Sequence, residues 1–391
     1  MHKPFSLHKR PTTKKNKQVY YCQFYDESGN RLTARSTGQT SKAAAETWAY
    51  EQLKKGIITS DKNITFGKYA EKWWVWDECP YVKSKISRGV SLSRRYVDVM
   101  RGYLEHHILP YYEKKRLQKI NTYTIETWIQ QLREKKGRIG KTLSHTTINH
   151  CLTCLKIMLK EAVRLGYLQK NPSDPILQLK ENQRKKSILT LEQVKTLFTD
   201  TTINEVWSGD IRHFAINLLA ASTGMRLGEC QGLRIQHLHN DGYISVVHTW
   251  DPKYGLKEPK RSSYRDIPIP SKTLFYLYEV IGALPYKDAD DLVFIDGIQK
   301  VPIRNELVLK KLYKALENVG ITKEERQDRN ITFHSWRHFY NSLMRGKIHD
   351  SKLRQLTGHR TLEMTEHYTH FKIEDFHDVL KIQEDYFGIV H

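Results

Sequence analysis

Four short segments in the second half of the chain carry side chains that could act on a phosphate group. They are residues 223–229 with Arg226 and Glu229, residues 259–268 with Lys260, residues 334–338 with His334, Arg337 and His338, and residues 358–368 with His359 and Tyr368. Displacement at a phosphodiester places negative charge on the non-bridging oxygens. Arginine matches that charge with planar, multi-donor geometry. These residue types therefore favour phosphoryl transfer with a tyrosine nucleophile.

The spacing of these residues supports the same chemistry. His334 and Arg337 are three residues apart, which places both on one face of a helix. A tyrosine hydroxyl, with a pKa of about 10, becomes a competent nucleophile when cations favour its ionised form and a histidine accepts its proton. The expelled 5′ oxygen needs a proton, which a lysine on a loop can supply. Lys253, Lys257 and Lys260 all lie in one such loop.

Each of these residues, taken singly, has an ordinary structural explanation. A lone arginine is usually a surface residue, and a lone histidine or tyrosine is usually part of a packed core. His334 and His338 have a spacing that can bind metal on a helix, but Arg337 between them would repel a cation. The Cys151 and Cys154 pair has zinc-type spacing but lies within a predicted helix, so we interpret it as core packing. We expect no metal and no cofactor.

The charge of the chain indicates what surrounds this chemistry. The protein has 391 residues and a net charge of +21, and it is rich in aromatic residues, so it should fold into several domains that favour a polyanionic partner. Residues 1–60 carry a net charge of +7, residues 61–185 carry +13, and residues 186–391 carry only +1. The first half is therefore predicted to hold nucleic acid, and the second half to perform the more specific task.

Sequence periodicity divides the chain into a multi-domain α+β protein. Residues 1–58 begin with a basic arm and continue as a hairpin (runs 18–25 and 31–37) and a helix capped by Ser41, which predicts a small β-sheet with one helix. Residues 65–170 have helical spacing throughout and predict an all-α bundle, and the proline-containing residues 171–187 predict a linker. Residues 188–391 predict a mixed, mainly helical domain. It opens with a capping box at Thr190 and holds a small antiparallel sheet from residues 243–248, 265–269 and 293–295.

The order and spacing of the four segments resemble the tyrosine recombinase (phage integrase) family. The resemblance covers the three-part layout of the whole chain, but its specificity lies in residues 223–368. It implies that Arg226 is the first catalytic arginine, that His334 and Arg337 form the HxxR pair, and that His359 is the second histidine. It also implies that Tyr368 is the nucleophile and that Glu229 and His338 support the site. Lys260 becomes the general acid, because the family usually places its hairpin lysine eight residues before the proline that stands here at Pro268.

The resemblance also implies partners and domain roles. It makes residues 1–58 an arm-type DNA-binding domain, residues 65–170 a core-binding domain, and residues 371–391 a tail that docks on a neighbouring subunit. The protein is then expected to act as a homotetramer on double-stranded DNA with core and arm sites, integrating and excising a mobile element, with an accessory excisionase or DNA-bending protein as an open addition. The expected DNA contacts are Lys9, Arg10, Lys14, Lys15, Lys17, Arg94, Arg95 and Lys141.

Three other functions compete with this one. A type IB topoisomerase would share the phosphotyrosine chemistry without strand exchange, but it would not need the C-terminal tail. A non-catalytic DNA-binding regulator would not need the full set of catalytic residues. A metal-dependent nuclease would need a carboxylate cluster, which we do not find in the sequence. Since no apolar run approaches the length of a membrane span, we expect a protein of the bacterial cytoplasm or nucleoid with no membrane partner.

Overall fold

A computed structural model describes residues 4–11, 18–25, 31–54, 64–137, 140, 142–181, 187–259 and 263–358. The chain divides into two units, Met1–Gln183 and Arg184–His391. The predicted fold class is confirmed, because helices dominate and the sheets are small and antiparallel. Across the described ranges, no helix has both the length and the apolar character that a membrane span requires.

The chain begins with a three-stranded antiparallel sheet, in the order β1 (Phe5–Pro11), β2 (Gln18–Phe24) and β3 (Arg35–Ser36), with α1 (Lys42–Lys54) packed on it. The Ser41 hydroxyl accepts a hydrogen bond from the backbone N–H of Ala44 at 3.2 Å, as its predicted capping role requires. The structure differs from the prediction in two respects, since the predicted run 31–37 is a strand only at Arg35–Ser36 and the basic arm is partly a strand. Lys9 and Arg10, predicted to lie in an arm before the hairpin, belong to strand β1.

Helices with one apolar face form the second part of the first unit. They are α2 (Phe66–Ala70), α3 (Pro80–Ser87), α4 (Arg94–Tyr103), α5 (Leu109–Tyr112), α6 (Thr122–Glu134) and α7 (His145–Arg164), with a 3-10 turn at Leu117–Lys119. Trp74 and Trp128 are buried at the centre of their shared core. A π-helical turn, Leu104–Ile108, joins α4 to α5. It lies just before Pro110, which has no N–H to donate to the helical ladder.

Much of the segment predicted as a linker packs on α7. The side chain of Asn149 accepts a hydrogen bond from the backbone N–H of Leu179 and donates one to its carbonyl, both at 2.9 Å. Ile176 is buried against the same core. Residues 171–181 are therefore part of the first unit, and residues 182–186 of the predicted linker lie outside the described ranges.

The second unit combines nine described helices with short strands. The helices are α8 (Leu191–Leu197), α9 (Thr202–Glu205), α10 (Ile211–Thr223), α11 (Leu227–Gln231), α12 (Ser271–Gly282), α13 (Asn305–Asn318), α14 (Lys323–Asp328), α15 (Ser335–Met344) and α16 (Asp350–Thr357), with a 3-10 turn at Ile235–His237. Strands β4 (Leu238–His239), β5 (Tyr243–Val246) and β8 (Arg265–Pro268) form an antiparallel sheet, and β6 (Thr249–Asp251) pairs with β7 (Gly255–Lys257) as a hairpin. Strands at 243–248 and 265–269 were thus predicted correctly in outline.

Two sequence predictions in this unit have opposite outcomes. The capping box is confirmed, since the side chains of Thr190 and Gln193 each accept a hydrogen bond from the other's backbone N–H, at 3.2 and 3.1 Å. The third predicted strand, at residues 293–295, is wrong. Only isolated bridges, such as the one between Ile295 and Pro302, occur there.

All five cysteines are buried and unpaired. Cys151 and Cys154 lie within α7, where both face the core, so the interpretation of this pair as core packing is confirmed. Burial raises the pKa of the Cys151 thiol to about 12 and that of the Cys22 thiol to about 11. Burial also raises the pKa of the Cys230 thiol well above its usual range.

Candidate active site

Arg226 lies at the start of α11, directly after the turn that ends α10. Gly224 ends α10 in the left-handed conformation, with a φ of 67°. A Cβ atom on Gly224 would lie 2.7 Å from Cδ1 of Tyr340, so the turn has no room for a side chain. Arg226 follows with extended backbone angles at the N-cap position of α11. The turn therefore fixes the point at which the Arg226 side chain leaves the backbone.

The second glycine of the same motif brings α11 against the β6–β7 hairpin. A Cβ atom on Gly228 would lie 2.7 Å from the Thr249 hydroxyl oxygen and 2.8 Å from the Trp250 carbonyl oxygen. Only glycine permits so close an approach of the two backbones. The segment that carries Arg226 is thus held by a turn on one side and by hairpin contacts on the other.

A buried carboxylate orients Arg226. The Arg226 guanidinium donates from Nη1 to Oε1 of Glu229 at 2.7 Å, and its backbone N–H donates to Oε2 at 2.9 Å. Glu229 is also paired with Arg265, whose Nη2 lies 2.8 Å from Oε2. Burial alone would raise the pKa of Glu229, but the charge and hydrogen bonds of Arg265, with those of Arg226, lower it to about 2. Glu229 therefore stays ionised at neutral pH and holds both arginines.

Arg337 connects this turn to the end of α16. It lies in the first turn of α15, one helical turn after the N-cap residue His334, as the spacing predicted. Its guanidinium is buried, donating from Nη1 to the carbonyl of Gly224 at 2.9 Å and from Nη2 to the carbonyl of Thr357. The structure thus brings the Arg337 guanidinium to the turn that carries Arg226.

The two histidines of the third segment lie at the N-cap of α15 and within it. The rings of His334 and His338 are perpendicular, with centroids 5.3 Å apart, and His338 is buried. This arrangement packs the ring of His334 against that of His338, and the placement of His334 beside Arg337 stays a prediction. It places His338 one turn further along, within the packed part of the unit.

Three of the predicted catalytic residues lie outside the described ranges. They are Lys260, His359 and Tyr368. The described chain ends at Gly358, which closes α16 in the left-handed conformation and directly precedes His359 in the sequence. The β6–β7 hairpin contains the alternative lysine, Lys257, whose Nζ lies 2.7 Å from Oδ2 of the buried Asp251.

Four of the predicted DNA-contacting residues lie in the described parts of the first unit. Lys9 and Arg10 are exposed on β1, where Lys9 Nζ and Arg10 Cζ lie 5.3 and 5.0 Å from the ring centroids of Tyr20 and Tyr21. Arg94 and Arg95 are exposed in the first turn of α4, and Arg94 lies over the ring of Trp76. The other four fall outside the described ranges, namely Lys14, Lys15, Lys17 and Lys141.

Arg265 was not among the residues selected from the sequence. It is buried on β8 and binds Glu229, and it lies in the segment 259–268, which was interpreted through Lys260 alone. A signal was present, since Arg265 and Ile267 alternate along a strand whose apolar member must face the core. A charged residue on the buried face of a strand requires an acidic partner. That partner could have been sought in the Arg226 motif.

Two family models match the chain. The model of the phage integrase family matches residues 187–374, and that of the phage integrase SAM-like domain matches residues 81–186. The first range includes all six residues predicted to be catalytic. The chain belongs to the phage integrase family.

The relatives define its enzyme class. Tyrosine recombinase XerD of Halalkalibacterium halodurans is 25% identical over 303 residues, covering 75% of this chain and 92% of that protein. Tyrosine recombinase XerC of Pelobacter propionicus is 22% identical, covering 63% of this chain and 76% of that protein. The protein is a tyrosine-type site-specific DNA recombinase.

Solved structures share the fold. The Tn1549 transposon integrase in complex with transposon right end DNA has a TM-score of 0.60 at 21% identity, covering 83% of this chain and all of that chain. The lambda integrase tetramer bound to a Holliday junction has a TM-score of 0.55 at 17% identity, covering 91% of this chain and 95% of that one. Both support the predicted combination of helical and mixed domains.

Proposed function

We propose that the protein cuts and rejoins duplex DNA through Tyr368. The Tyr368 oxygen attacks the scissile phosphorus, the bond from phosphorus to the 5′ oxygen breaks, and a 3′-phosphotyrosine forms. Attack of a 5′ hydroxyl on this intermediate reverses the step and releases the tyrosine. The phosphotyrosine bond conserves the energy of the phosphodiester, so rejoining needs no nucleotide. Arg226, His334, Arg337 and His359 surround the phosphate in this mechanism, with Glu229 and His338 in support.

One observation carries the proposal. Arg337 on α15 donates to the carbonyl of Gly224, two residues before Arg226, and Glu229 fixes the Arg226 guanidinium at the same turn. Two arginines from separate elements are thus anchored to one turn. Anchored cations stabilise developing charge without reorganising during the reaction. This is what displacement at a phosphodiester requires when no metal takes part.

The proposal is tested by trapping the covalent intermediate. The protein is incubated with genomic DNA, adducts are isolated in detergent, and the attached ends are sequenced to recover the site. A nicked duplex with that site should then give an adduct in EDTA, and Tyr368→Phe should abolish it while binding remains. Tyr123→Phe, the same change at an exposed position, is the matched control and should retain the adduct. An adduct that persists in Tyr368→Phe, or that needs Mg²⁺, would contradict the proposal.

We propose Lys260 as the general acid that protonates the 5′ oxygen. Lys257 is held by Asp251 at 2.7 Å, which disfavours it as a mobile donor. Replacing the 5′ oxygen of the scissile bond by sulfur removes the need for a proton, because a thiolate leaves unaided. Cleavage by Lys260→Ala should therefore recover on the sulfur substrate, and Arg226→Ala should stay defective on both. If the sulfur substrate instead restores cleavage by Lys257→Ala, and Lys260→Ala cleaves the natural substrate at a nearly normal rate, the general acid is Lys257.

We further propose that the protein integrates and excises a mobile element as a homotetramer on double-stranded DNA. The solved complexes of the Tn1549 and lambda integrases with DNA support this assignment. Residues 1–58 would bind arm sites, residues 65–170 core sites, and residues 371–391 a neighbouring subunit, in the bacterial cytoplasm or nucleoid. An excisionase or DNA-bending protein would set the direction. Nicking and closing without exchange between two duplexes would favour a topoisomerase instead.

A further inference from the structure

The buried guanidinium of Arg265 donates hydrogen bonds to three separate segments of the second unit. From β8, its Nη2 and Nη1 lie 2.8 and 3.4 Å from the two carboxylate oxygens of Glu229. Its Nε donates to the carbonyl of Leu356 at 2.7 Å, and Nη1 also donates to the carbonyl of Ser263 at 3.2 Å. One guanidinium thus joins β8, α11 and α16.

Burying this charge is expensive, and an apolar residue would cost less. The side chains of Arg265 and Glu229 are each only 2% exposed. Removing an ion pair from water costs several kcal/mol per ion, and replacing a buried pair with apolar residues is often neutral or stabilising. The neighbouring inward residue of β8, Ile267, shows that this face accepts an aliphatic side chain. The contacts of Arg265 therefore point to a role other than stability.

The first of these contacts controls the partner of Arg226. Glu229 accepts hydrogen bonds from both arginines, so its charge is shared between a buried arginine and a half-buried one. Arg265 occupies the buried side of the carboxylate. Without it, Glu229 would keep a single counter-charge, Arg226, and would bind that guanidinium more tightly.

The second contact controls the end of α16. Arg265 donates to the carbonyl of Leu356, and Arg337 donates to that of the next residue, Thr357. The last carbonyls of a helix have no partner within the helix, and cations at that end are favourable. Two buried arginines therefore fix the last turn of α16. His359 follows that turn after Gly358 alone.

We infer that Arg265 is a positioning residue of the cleavage site, which orients Arg226 through Glu229 and fixes the chain before His359 without contacting DNA. The inference rests on the proposed function, because it takes Arg226 and His359 as the groups that act on the phosphate. A displacement of about 1 Å in such groups costs about a hundredfold in rate. Loss of Arg265 should thus slow cleavage while leaving DNA binding near that of wild type.

The test compares two substrates in single-turnover cleavage by the full chain. One is the natural phosphodiester, and the other carries a neutral methylphosphonate at the scissile position, which demands less cationic stabilisation. Arg265→Gln should be slower on the phosphodiester by about a hundredfold. Part of this rate reduction is expected to come from misplacement of Arg226. The rate reduction relative to wild type should therefore be roughly tenfold smaller on the methylphosphonate than on the phosphodiester, and the same should hold for Arg226→Ala. Arg265→Lys keeps the charge and should lie between Arg265→Gln and wild type.

Arg329→Gln is the matched structural control. Arg329 is also a mostly buried arginine of the second unit, bonded to Glu325 and to the carbonyl of Ile188. Its loss should lower thermal stability and leave the ratio of rates on the two substrates at the wild-type value. This separates a positioning effect from general loosening of the fold.

Every outcome decides the inference. An equal deficit of Arg265→Gln on both substrates, or none on either, would overturn it. If Arg265→Gln does not fold, Arg265→Lys, which keeps a positive charge opposite Glu229 but not the guanidinium geometry, undergoes the same comparison and should show a smaller change in the same direction. If wild type forms no adduct at all, the proposed function fails. If wild type cleaves DNA but Arg265→Gln has the wild-type ratio of rates on the two substrates, only the positioning role of Arg265 is refuted, and the proposed function stands.

Discussion

Lys9 and Arg10 lie exposed on the first unit over tyrosine rings, whereas Arg226, Glu229 and Arg265 form a largely buried ion-pair group in the second. Exposed charges are screened by salt and add little to stability, but they attract DNA over a distance. Buried charges lose their hydration and must be paired, so each depends strongly on its neighbours. The net charge of a segment therefore predicts where DNA would be held, without showing it. Net charge does not locate the candidate active site, because the second unit, which contains that site, is nearly neutral.

The largest effect that separates the two regions should come from Glu229→Gln. The change leaves Arg265 buried without a counter-charge, which should lower the free energy of unfolding at pH 7 by about 3–5 kcal/mol. Urea unfolding of the full chain measures the loss, and hydrogen exchange of α10 and α11 assigns it to the second unit. Lys68→Ala breaks the exposed ion pair with Glu71 in the first unit and should leave the transition unchanged. If Glu229→Gln and Lys68→Ala lowered the free energy of unfolding equally, the buried and exposed ion pairs would not differ in their contribution to stability.

The same variant predicts a pH dependence. The pKa of Glu229 is lowered in the folded protein from 4.5 to about 2. A carboxyl group whose pKa is lowered by folding stabilises the folded state at a pH above its unfolded-state pKa. This contribution is lost as the pH falls towards and through the pKa of the folded state. The difference between wild type and Glu229→Gln should therefore be constant above about pH 6 and narrow by about 1 kcal/mol near pH 3.5. A difference that does not narrow would mean that Glu229 is not held as an anion.

A smaller effect should distinguish the exposed cations. If Lys9 and Arg10 each neutralise one DNA phosphate, the double change to alanine should reduce the slope of log affinity against log salt concentration by about 1.8. Stability should not change, because both side chains are exposed. Lys314→Ala, an exposed lysine on α13, is the control and should leave the slope unchanged. A slope unaltered by the double change would show that the β1 cations do not contact the backbone.

The sequence allowed the fold class and the helix that carries Arg337 to be predicted, because helical periodicity and motif spacing are local properties. The capping box at Thr190 and the cap at Ser41 were predictable for the same reason. Arg265 was missed because its partners, Glu229 and Leu356, are 36 and 91 residues away in the chain. The strand predicted at residues 293–295 failed because a short apolar run is equally compatible with a buried bend.

The five buried thiols make this recombinase a suitable host for site-directed labelling. Alkylating dyes and cross-linkers react with thiolates, and burial raises the pKa of Cys22, Cys151 and Cys230 far above neutral. A single cysteine introduced at an exposed position, such as Tyr123, would therefore be modified well before the native ones. Fluorophores attached in this way, in either unit, would report DNA binding in real time without first replacing the natural cysteines.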